Sequence, residues 1–394
     1  MMSLFLILLI LSLFTSVANA SQLAETLQVH GFGSQTYTLS SHNNFFGKSS
    51  GNGSFEFTEV GINSSSRPIP ELQVSVQVLS RRAGKADNGD PRLDYALFDY
   101  SFISKEKLRS GVRLGVIKNP LGLYNETRDI SFTRPGIFLP QSIYFDRTRN
   151  LALSANGMHI FGEYRNSIGD IFLLVGAGNP RIGDPATEVA ILGGEQAGSL
   201  DARISYTARL LYEFDGGRVR LSVTAIELNT EYDPAEEDSL LAGKFHFQPY
   251  IFSLQYNAES WSLTSEYAIR SLSLSGFGSD KLPDRSFRGQ SYYIQGEYKI
   301  LKDWGVLVRY DVLYQDKDDK NGEKFSSEFK RPGFSRFAKD LTFGLAWDIT
   351  PSVSLRTEYH NVNGTAWVTP LDNTEIAKTK QFWDMVSFLA SYRF

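Results

Sequence analysis

Short segments in which apolar and polar residues alternate recur along the chain from Leu27 onward. Residues 71–78 read ELQVSVQV, residues 202–210 read ARISYTARL, and residues 353–360 read VSLRTEYH. A period of two places one set of side chains on each face of a β-strand. The segments are about ten residues long, the length that a tilted strand needs to cross a bilayer. The pattern therefore predicts many amphipathic strands.

The connections between these segments alternate between short and long. The short ones are residues 165–170, 214–217, 256–260, 300–303 and 348–351, and the long, polar ones are 40–53, 80–91, 179–201, 230–243, 273–289, 315–339 and 361–380. This order is typical of a transmembrane antiparallel up-and-down β-barrel with short periplasmic turns and long extracellular loops. We predict an all-β fold of about sixteen strands. Two weaker segments, 54–63 and 157–164, could shift the number of strands by two. A barrel of this size holds water, which favours a channel.

Residues 1–20 form an apolar stretch that ends in Ala18-Asn19-Ala20, the small-x-small pattern of a cleaved signal peptide. We expect cleavage after Ala20 and a barrel domain over residues 21–394. A single-pass anchor is the alternative, because no Lys or Arg precedes the apolar core. The stretch is shorter than the ~20 residues that a spanning helix needs, which favours cleavage.

Composition excludes several classes of protein. The chain has no Cys, which rules out thiolate metal sites and cysteine redox chemistry. Its net charge of -4 and scattered basic residues give no sign of a nucleic-acid partner. The five His residues form no HExxH motif and no close pair, so no metal, cofactor or enzyme activity is predicted. Glu358 and His360 share an inward face and are the one pairing that a hydrolase would use.

Alternation continues to the end of the chain, where Phe388, Ala390, Tyr392 and Phe394 form an apolar face with an aromatic terminus. Three further stretches are distinctive: LQVHGFGSQTY at 27–37, GVRLGVIKNPLGLYNETRD at 111–129 and SLRTEYHNVNGTAW at 354–367. With this strand rhythm the chain resembles the Gram-negative porins, in particular the sixteen-stranded general and anion-preferring porins. Phe161 and Leu307 are apolar residues at positions predicted to face inward, and they depart from the polar wall expected of such a lumen.

The resemblance implies a water-filled channel for passive diffusion of small hydrophilic solutes, located in the cell outer membrane. It also implies a homotrimer in contact with outer-membrane lipid and lipopolysaccharide, and a third long loop that folds inward as the constriction. An adhesin or structural anchor that acts through its extracellular loops is the alternative function.

The third long connection, residues 118–150, is too apolar to extend into water and is expected to pack against the barrel wall. Its charged residues are the candidate pore constriction: Lys118, Glu126, Arg128, Asp129, Arg134, Asp146, Arg147 and Arg149. Basic groups outnumber acidic ones, and a basic constriction would favour anions. The alternative is that these arginines form ion pairs with Glu126, Asp129 and Asp146 that hold the loop in shape.

Strand positions predicted to face inward add a basic ladder on two consecutive strands, consisting of Arg203, Arg209, Arg218 and Arg220. This ladder would guide anions toward the constriction, or it is a solvated wall with no preference. Elsewhere the predicted lumen is locally neutral, because Glu266 shares a face with Arg270, Asp311 with Arg309, and Glu358 with Arg356.

Overall fold

The computed structural model describes residues 25–279 and 282–394, so the predicted signal peptide lies outside the described residues. Within them, sixteen long strands close into one antiparallel barrel, and a short seventeenth strand is attached at its rim. This confirms the predicted fold class. No helix in the same residues is long and apolar enough to cross a membrane.

Strands β1 to β7 are Gln28–Ser40, Ser54–Ile69, Leu72–Ala83, Arg92–Ser104, Leu108–Lys118, Ser154–Asn166 and Gly169–Pro180. The short strand β8 is Ser199–Ala202. Strands β9 to β17 are Ser205–Phe214, Val219–Asp233, Lys244–Asn257, Trp261–Ser275, Arg285–Leu301, Trp304–Tyr314, Phe337–Thr350, Val353–Gly364 and Phe382–Arg393. Helices α1 (Pro185–Leu192) and α2 (Glu323–Phe329) lie in long loops.

Each long strand pairs with its neighbours in sequence, and β7 pairs directly with β9 because β8 joins only β10. Pairing of β1 with β17 closes the barrel. At this seam Gly31 and Phe394 exchange two backbone hydrogen bonds, of 3.2 and 3.0 Å. The ring of Phe394 covers Gly31, where an added Cβ would overlap it. Closure removes the unpaired strand edges of an open sheet.

The connections lie at two ends. Short turns join β2 to β3, β4 to β5 and so on at what we call the turn end; the loop end carries the long connections. The two weaker segments of the sequence are the regular strands β2 and β6. Some strands run further than their sequence suggests: β13 already begins at Arg285, inside the predicted loop 273–289.

The two faces of the wall have inverted polarity relative to a water-soluble protein. Outward side chains such as Val60, Leu254 and Val308 are about half exposed, whereas the inward Thr224 and Thr264 are fully buried. Aromatic rings gather near the strand ends, as in the stacked pair Trp304 and Trp347, whose centroids are 5.1 Å apart. Such an exterior suits lipid, and the polar face lines the lumen.

The loop between β7 and β8 folds back over the barrel through helix α1. Asp184 caps this helix by accepting a hydrogen bond of 2.9 Å from the Thr187 backbone, and Gly193 ends it in the left-handed conformation. Ile191 and Leu192 are thereby buried in an apolar cluster that also contains wall residues of β10 to β13. The loop end is therefore ordered by packing as well as by turns.

Candidate functional site

Residues 119–153, the β5–β6 loop, run inside the barrel and bond to inward-facing acidic side chains. The backbone N–H groups of Ile137 and Phe138 donate to Glu358 of β16 at 2.9 and 3.2 Å. On another part of the wall, Leu123 donates its N–H to Glu266 of β12 at 3.0 Å. An irregular segment cannot pair its own N–H groups, so carboxylates on the wall satisfy them.

Tyr144 strengthens the contact with β12. Its hydroxyl donates to Glu266 at 2.5 Å and accepts the backbone N–H groups of Leu123 and Tyr124 at 2.8 and 3.1 Å. Tyr293 and Ser253 also donate to Glu266, at 2.9 and 2.6 Å. The carboxylate is fully buried, and these hydrogen bonds offset the cost of removing it from water.

Two apolar clusters hold the β5–β6 loop from opposite sides. One contains Leu139 and Ile143 of the loop with wall residues of β10 to β13. The other contains Ile137 and Phe138 with aromatic residues of the loops at the β1 and β17 side of the barrel, among them Trp367. Packing on both flanks fixes the loop across the lumen.

Most of the predicted constriction charges are paired. Lys118 contacts Asp94 at 2.7 Å and also Asp129, which in turn pairs with Arg149. Asp94 and Asp129 are buried with the cations that they neutralise. These contacts join the start and the end of the β5–β6 loop to the wall.

Asp146 is shared by two guanidinium groups, Arg128 at 3.5 Å and Arg81 of β3 at 2.8 Å. Arg134 pairs with Glu59 of β2 at 2.7 Å. Ion pairing within the loop, the alternative reading of its sequence, is therefore found for Arg128 and Arg149, while Arg134 pairs with the wall. Neither wall partner could be read from the sequence, because Arg81 falls in the predicted connection 80–91 and Glu59 in the weaker segment 54–63.

Arg147 differs from the other loop arginines. Its guanidinium donates to the backbone oxygen of Ala366 at 3.3 Å, and within the described part of the chain it has no acidic partner within 4.0 Å. Burial, together with the charge of the nearby Arg331, lowers the pKa of Arg147 to about 10. An uncompensated cation therefore lies on the loop-end side of the β5–β6 loop.

Two members of the predicted basic ladder face the lumen. Arg209 of β9 pairs with Glu126 of the β5–β6 loop, and Arg220 of β10 pairs with Glu213 at 2.7 Å. Their positive charge is balanced locally.

The prediction was wrong for the other two members. β8 pairs Ala202 with Thr230, but β9 pairs Tyr206 with Glu227, a register shift of one residue. The shift reverses the faces upstream of it, so that Arg203 lies outside with Glu231, at 2.8 Å. Arg218 lies in the turn between β9 and β10, where it pairs with Asp215 at 2.8 Å.

As predicted, the two members of each neutral pair of the wall share the inward face, but among the described residues none of the three pairs forms a direct ion pair within 4.0 Å. Glu266 and Glu358 instead bind the β5–β6 loop, as does Asp311, which accepts the N–H of Ser142 at 3.2 Å. The guanidinium of Arg356 donates to three loop carbonyl oxygens, the shortest contact being 2.6 Å to Arg134. The wall thus uses its charges to hold the loop.

His360 occupies a closed position beneath the loop. Its ring nitrogens lie 2.8 Å from Asp340 and 3.2 Å from Glu358, and its side chain is 2% exposed. Its ring also packs 5.8 Å from that of Phe138. This geometry supports Glu358, which binds the loop backbone, and it leaves no room for a substrate at the imidazole.

The β5–β6 loop has a cavity on each side. The turn-end cavity, of about 580 Å³, touches loop residues 132–137, and its charged lining is mixed in sign. The loop-end cavity, of about 260 Å³, touches Phe145 and Arg147. Among the described residues, those lining the loop-end cavity include no Asp or Glu and five arginines: Arg147, Arg270, Arg285, Arg331 and Arg336. We call it the arginine cavity. Sequence analysis missed it because these arginines come from four separate segments.

Solved structures of sixteen-stranded barrels resemble this one over nearly the whole chain. The outer membrane channel DcaP of Acinetobacter baumannii is 13% identical, with a TM-score of 0.55, covering 93% of this chain and 97% of that one. The anion-selective porin from Comamonas acidovorans is 12% identical, with a TM-score of 0.56 and coverage of 94% and 99%. Salmonella typhi OmpF in complex with daunomycin is 13% identical, with a TM-score of 0.55 and coverage of 93% and 97%.

No protein-family model matches the chain, and no curated protein matches its sequence. At 9–13% identity the likeness to solved structures concerns the fold.

Proposed function

We propose that this chain is an outer-membrane porin that passes small hydrophilic solutes by diffusion, with a preference for anions. The observation that carries the proposal is a closed barrel whose polar inner wall encloses a cavity on either side of an inward loop. Residues 118–150 form the constriction. Its paired charges, from Lys118 to Arg149, set the shape of the pore more than its sign.

The anion preference comes from the arginine cavity. Charge in the constriction and on Arg209 and Arg220 is balanced by nearby carboxylates. Among the described residues, the five guanidinium groups of the arginine cavity have no carboxylate within 4.0 Å, so they give the loop-end entrance a positive potential. Diffusing anions are concentrated there before they reach the constriction. An anion-selective porin is also among the solved structures of this fold.

The exterior supports a place in the outer membrane, reached through a cleaved signal peptide at residues 1–20. An apolar band of outward side chains would contact lipid, and the aromatic ends of the strands would lie at the two interfaces. The long loops would then be extracellular, next to lipopolysaccharide.

We expect three copies to assemble. Gln35, near the middle of β1, and Thr58, nearer the loop end of β2, face outward and hydrogen bond to each other at 2.8 Å. Polar side chains at that depth are costly against lipid, and contact with a second copy would cover them. Vibrio cholerae OmpT, of the same fold, is described in a trimer form. Crosslinking and unheated gel migration test this, and migration as a monomer in mild detergent would contradict it.

Planar-bilayer recording tests the function. The purified protein should give stable open steps, and a KCl gradient should give a reversal potential of the anion-selective sign. Replacing Arg331 and Arg336 together by Gln should move that potential toward cations.

The matched control is Arg203→Gln with Arg218→Gln, which removes the same charge outside the lumen and should leave the potential unchanged. A silent but folded barrel would contradict the porin. A cation-selective reversal potential would contradict the anion preference.

A further inference from the structure

The arginine cavity gathers five cationic side chains whose charge is only partly offset by Asp311, Glu328 and Asp316. None of its five guanidinium groups forms an ion pair within 4.0 Å among the described residues, although most other arginines of the lumen do. The Nε atoms of Arg147, Arg270 and Arg285 are buried and have no hydrogen-bond partner in that same part of the chain. Arg270 is only 8% exposed. Buried donors of this kind are costly unless a ligand satisfies them.

The guanidinium groups also lie close enough to repel one another. Burial and the charges of Arg285 and Arg147 together lower the pKa of Arg336 to about 10, with only partial compensation from Asp316. An anion placed among them would relieve this repulsion. Guanidinium forks match the two oxygens of a carboxylate or sulfonate, which makes these groups the natural counterion.

The same cavity is unusually aromatic. The guanidinium of Arg270 lies 4.6 Å from the ring centroid of Phe145, and that of Arg336 lies 4.5 Å from Phe325 and 5.5 Å from Phe287. Aromatic rings in contact with guanidinium groups restrict the orientation of those groups and add apolar surface beside the charge. Aliphatic side chains, among them Leu272, Leu274 and Val368, add apolar surface to a lining that also includes Thr, Ser, Gln and Asn residues.

A ligand for this cavity must therefore carry a negative group and an apolar, flat body. The volume of about 260 Å³ is slightly below the about 300–1,000 Å³ typical of sites for drug-sized ligands, which limits the body to about one ring. A sugar would leave the guanidinium charges unbalanced, and an inorganic anion would leave the phenyl rings unused.

We propose that the arginine cavity is a binding site for monocyclic aromatic anions, such as a benzoate-like carboxylate, on their way into the channel. The inference deepens the proposed function, on which it rests, by naming the class of solute. Binding takes place on the loop-end side of the constriction, so it can be measured without transport.

Titration calorimetry of the full-length protein in detergent, with benzoate, acetate and glucose as probes, tests the site. Benzoate should bind about tenfold more tightly than acetate, because the ring adds contact with phenyl and guanidinium groups. Glucose should not compete with benzoate. In planar bilayers, benzoate should reduce the single-channel current at about tenfold lower concentration than acetate.

Two variants distinguish the contribution of a guanidinium charge to benzoate binding from that of a phenyl ring. Arg336→Gln should weaken benzoate about tenfold, and Phe325→Leu should weaken benzoate but not acetate. The control Arg203→Gln lies outside the barrel and should bind like the wild type. Unheated gel migration and open-channel conductance show that each variant is folded.

The possible failures are distinct. Equal affinity for benzoate and acetate, displacement of benzoate by glucose, or wild-type benzoate binding by Phe325→Leu would each overturn the aromatic-anion site, even in a conducting, anion-selective channel. Tight benzoate binding by a protein that forms no channel would overturn the proposed function and leave the binding site standing.

Discussion

Arg134 of the β5–β6 loop lies 2.7 Å from Glu59 of β2, with the side chains 5% and 1% exposed. The other oxygen of Glu59 is 3.5 Å from Arg81, which is equally buried. Glu59 is thus the acidic partner of Arg134, and it shares Arg81 with Asp146 and Asp87. The loop is held in the lumen by a charge that belongs to the barrel.

Glu59→Gln should destabilise the protein by about 3–5 kcal/mol, because it leaves the buried guanidinium of Arg134 without its counterion. Urea unfolding followed by tryptophan fluorescence measures the change. Glu375→Gln is the control, since it breaks an exposed pair with Lys378 and should cost at most about 1 kcal/mol. Equal stability of the two variants would contradict the role assigned to Glu59.

Gly136→Ala should loosen the loop, because an added Cβ would overlap Oε1 of Glu358. The carboxylate would have to move away from the N–H groups of Ile137 and Phe138, at a cost of about 1–3 kcal/mol. Gly183→Ala is the control, since an added Cβ there meets nothing within 4 Å. Thermal unfolding monitored by gel migration compares the two, and an unchanged midpoint for Gly136→Ala would refute the expectation.

Tyr144→Phe should cost about 1–3 kcal/mol, because Glu266 loses a donor and the N–H of Tyr124 loses its acceptor inside the barrel, while the N–H of Leu123 keeps its bond to Glu266. Tyr359→Phe removes a similar hydrogen bond of 2.7 Å, to Asp384, on the exposed outer face. It should have little effect in the same thermal unfolding experiment. A larger loss for Tyr359→Phe than for Tyr144→Phe would invert the prediction.

The contact of Asp238 with the β7–β8 loop should resist acid. The Tyr232 hydroxyl and the N–H groups of Ala197, Ala235 and Gly198 lower the pKa of Asp238 from 3.8 to about 2. The folded-state pKa is depressed, so this contribution to stability is complete above about pH 4 and is lost as the pH falls through about 2.

Pepsin cleavage in the region of residues 195–240 should therefore be slow at pH 4 and faster below pH 2. Asp238→Asn should be cleaved quickly at both values, since the amide attracts the N–H groups less strongly. Identical cleavage of the wild type and Asp238→Asn at pH 4 would rule out this stabilising role of Asp238.

Much of the fold could be predicted because its cause is local. Alternation such as that of residues 353–360 reports one face in lipid and one in the lumen, and the turn residues report where a strand ends. Arg203 shows the limit of that reasoning. Its segment alternates without a break, but a single-residue register shift, invisible in the pattern, moves its side chain to the outside.

The candidate site could be predicted less well, because it depends on contacts between distant segments. The sequence indicates that residues 118–150 are apolar and charged, but it does not show that Arg134 meets Glu59 or that Asp146 meets Arg81. Same-strand neighbours were a poor guide: Glu266 binds Tyr144, 122 positions away, in preference to Arg270. Tertiary geometry decides which charges are neutralised.

The seam between Gly31 and Phe394 determines whether the barrel closes. It joins strands at opposite ends of the sequence, so no product of a shortened chain can hide its edges. A polypeptide lacking β17 would have two edge strands with unpaired N–H and C=O groups, which would promote aggregation and degradation. The phenyl ring of Phe394 packs over Gly31 on the strand pair whose formation closes the barrel.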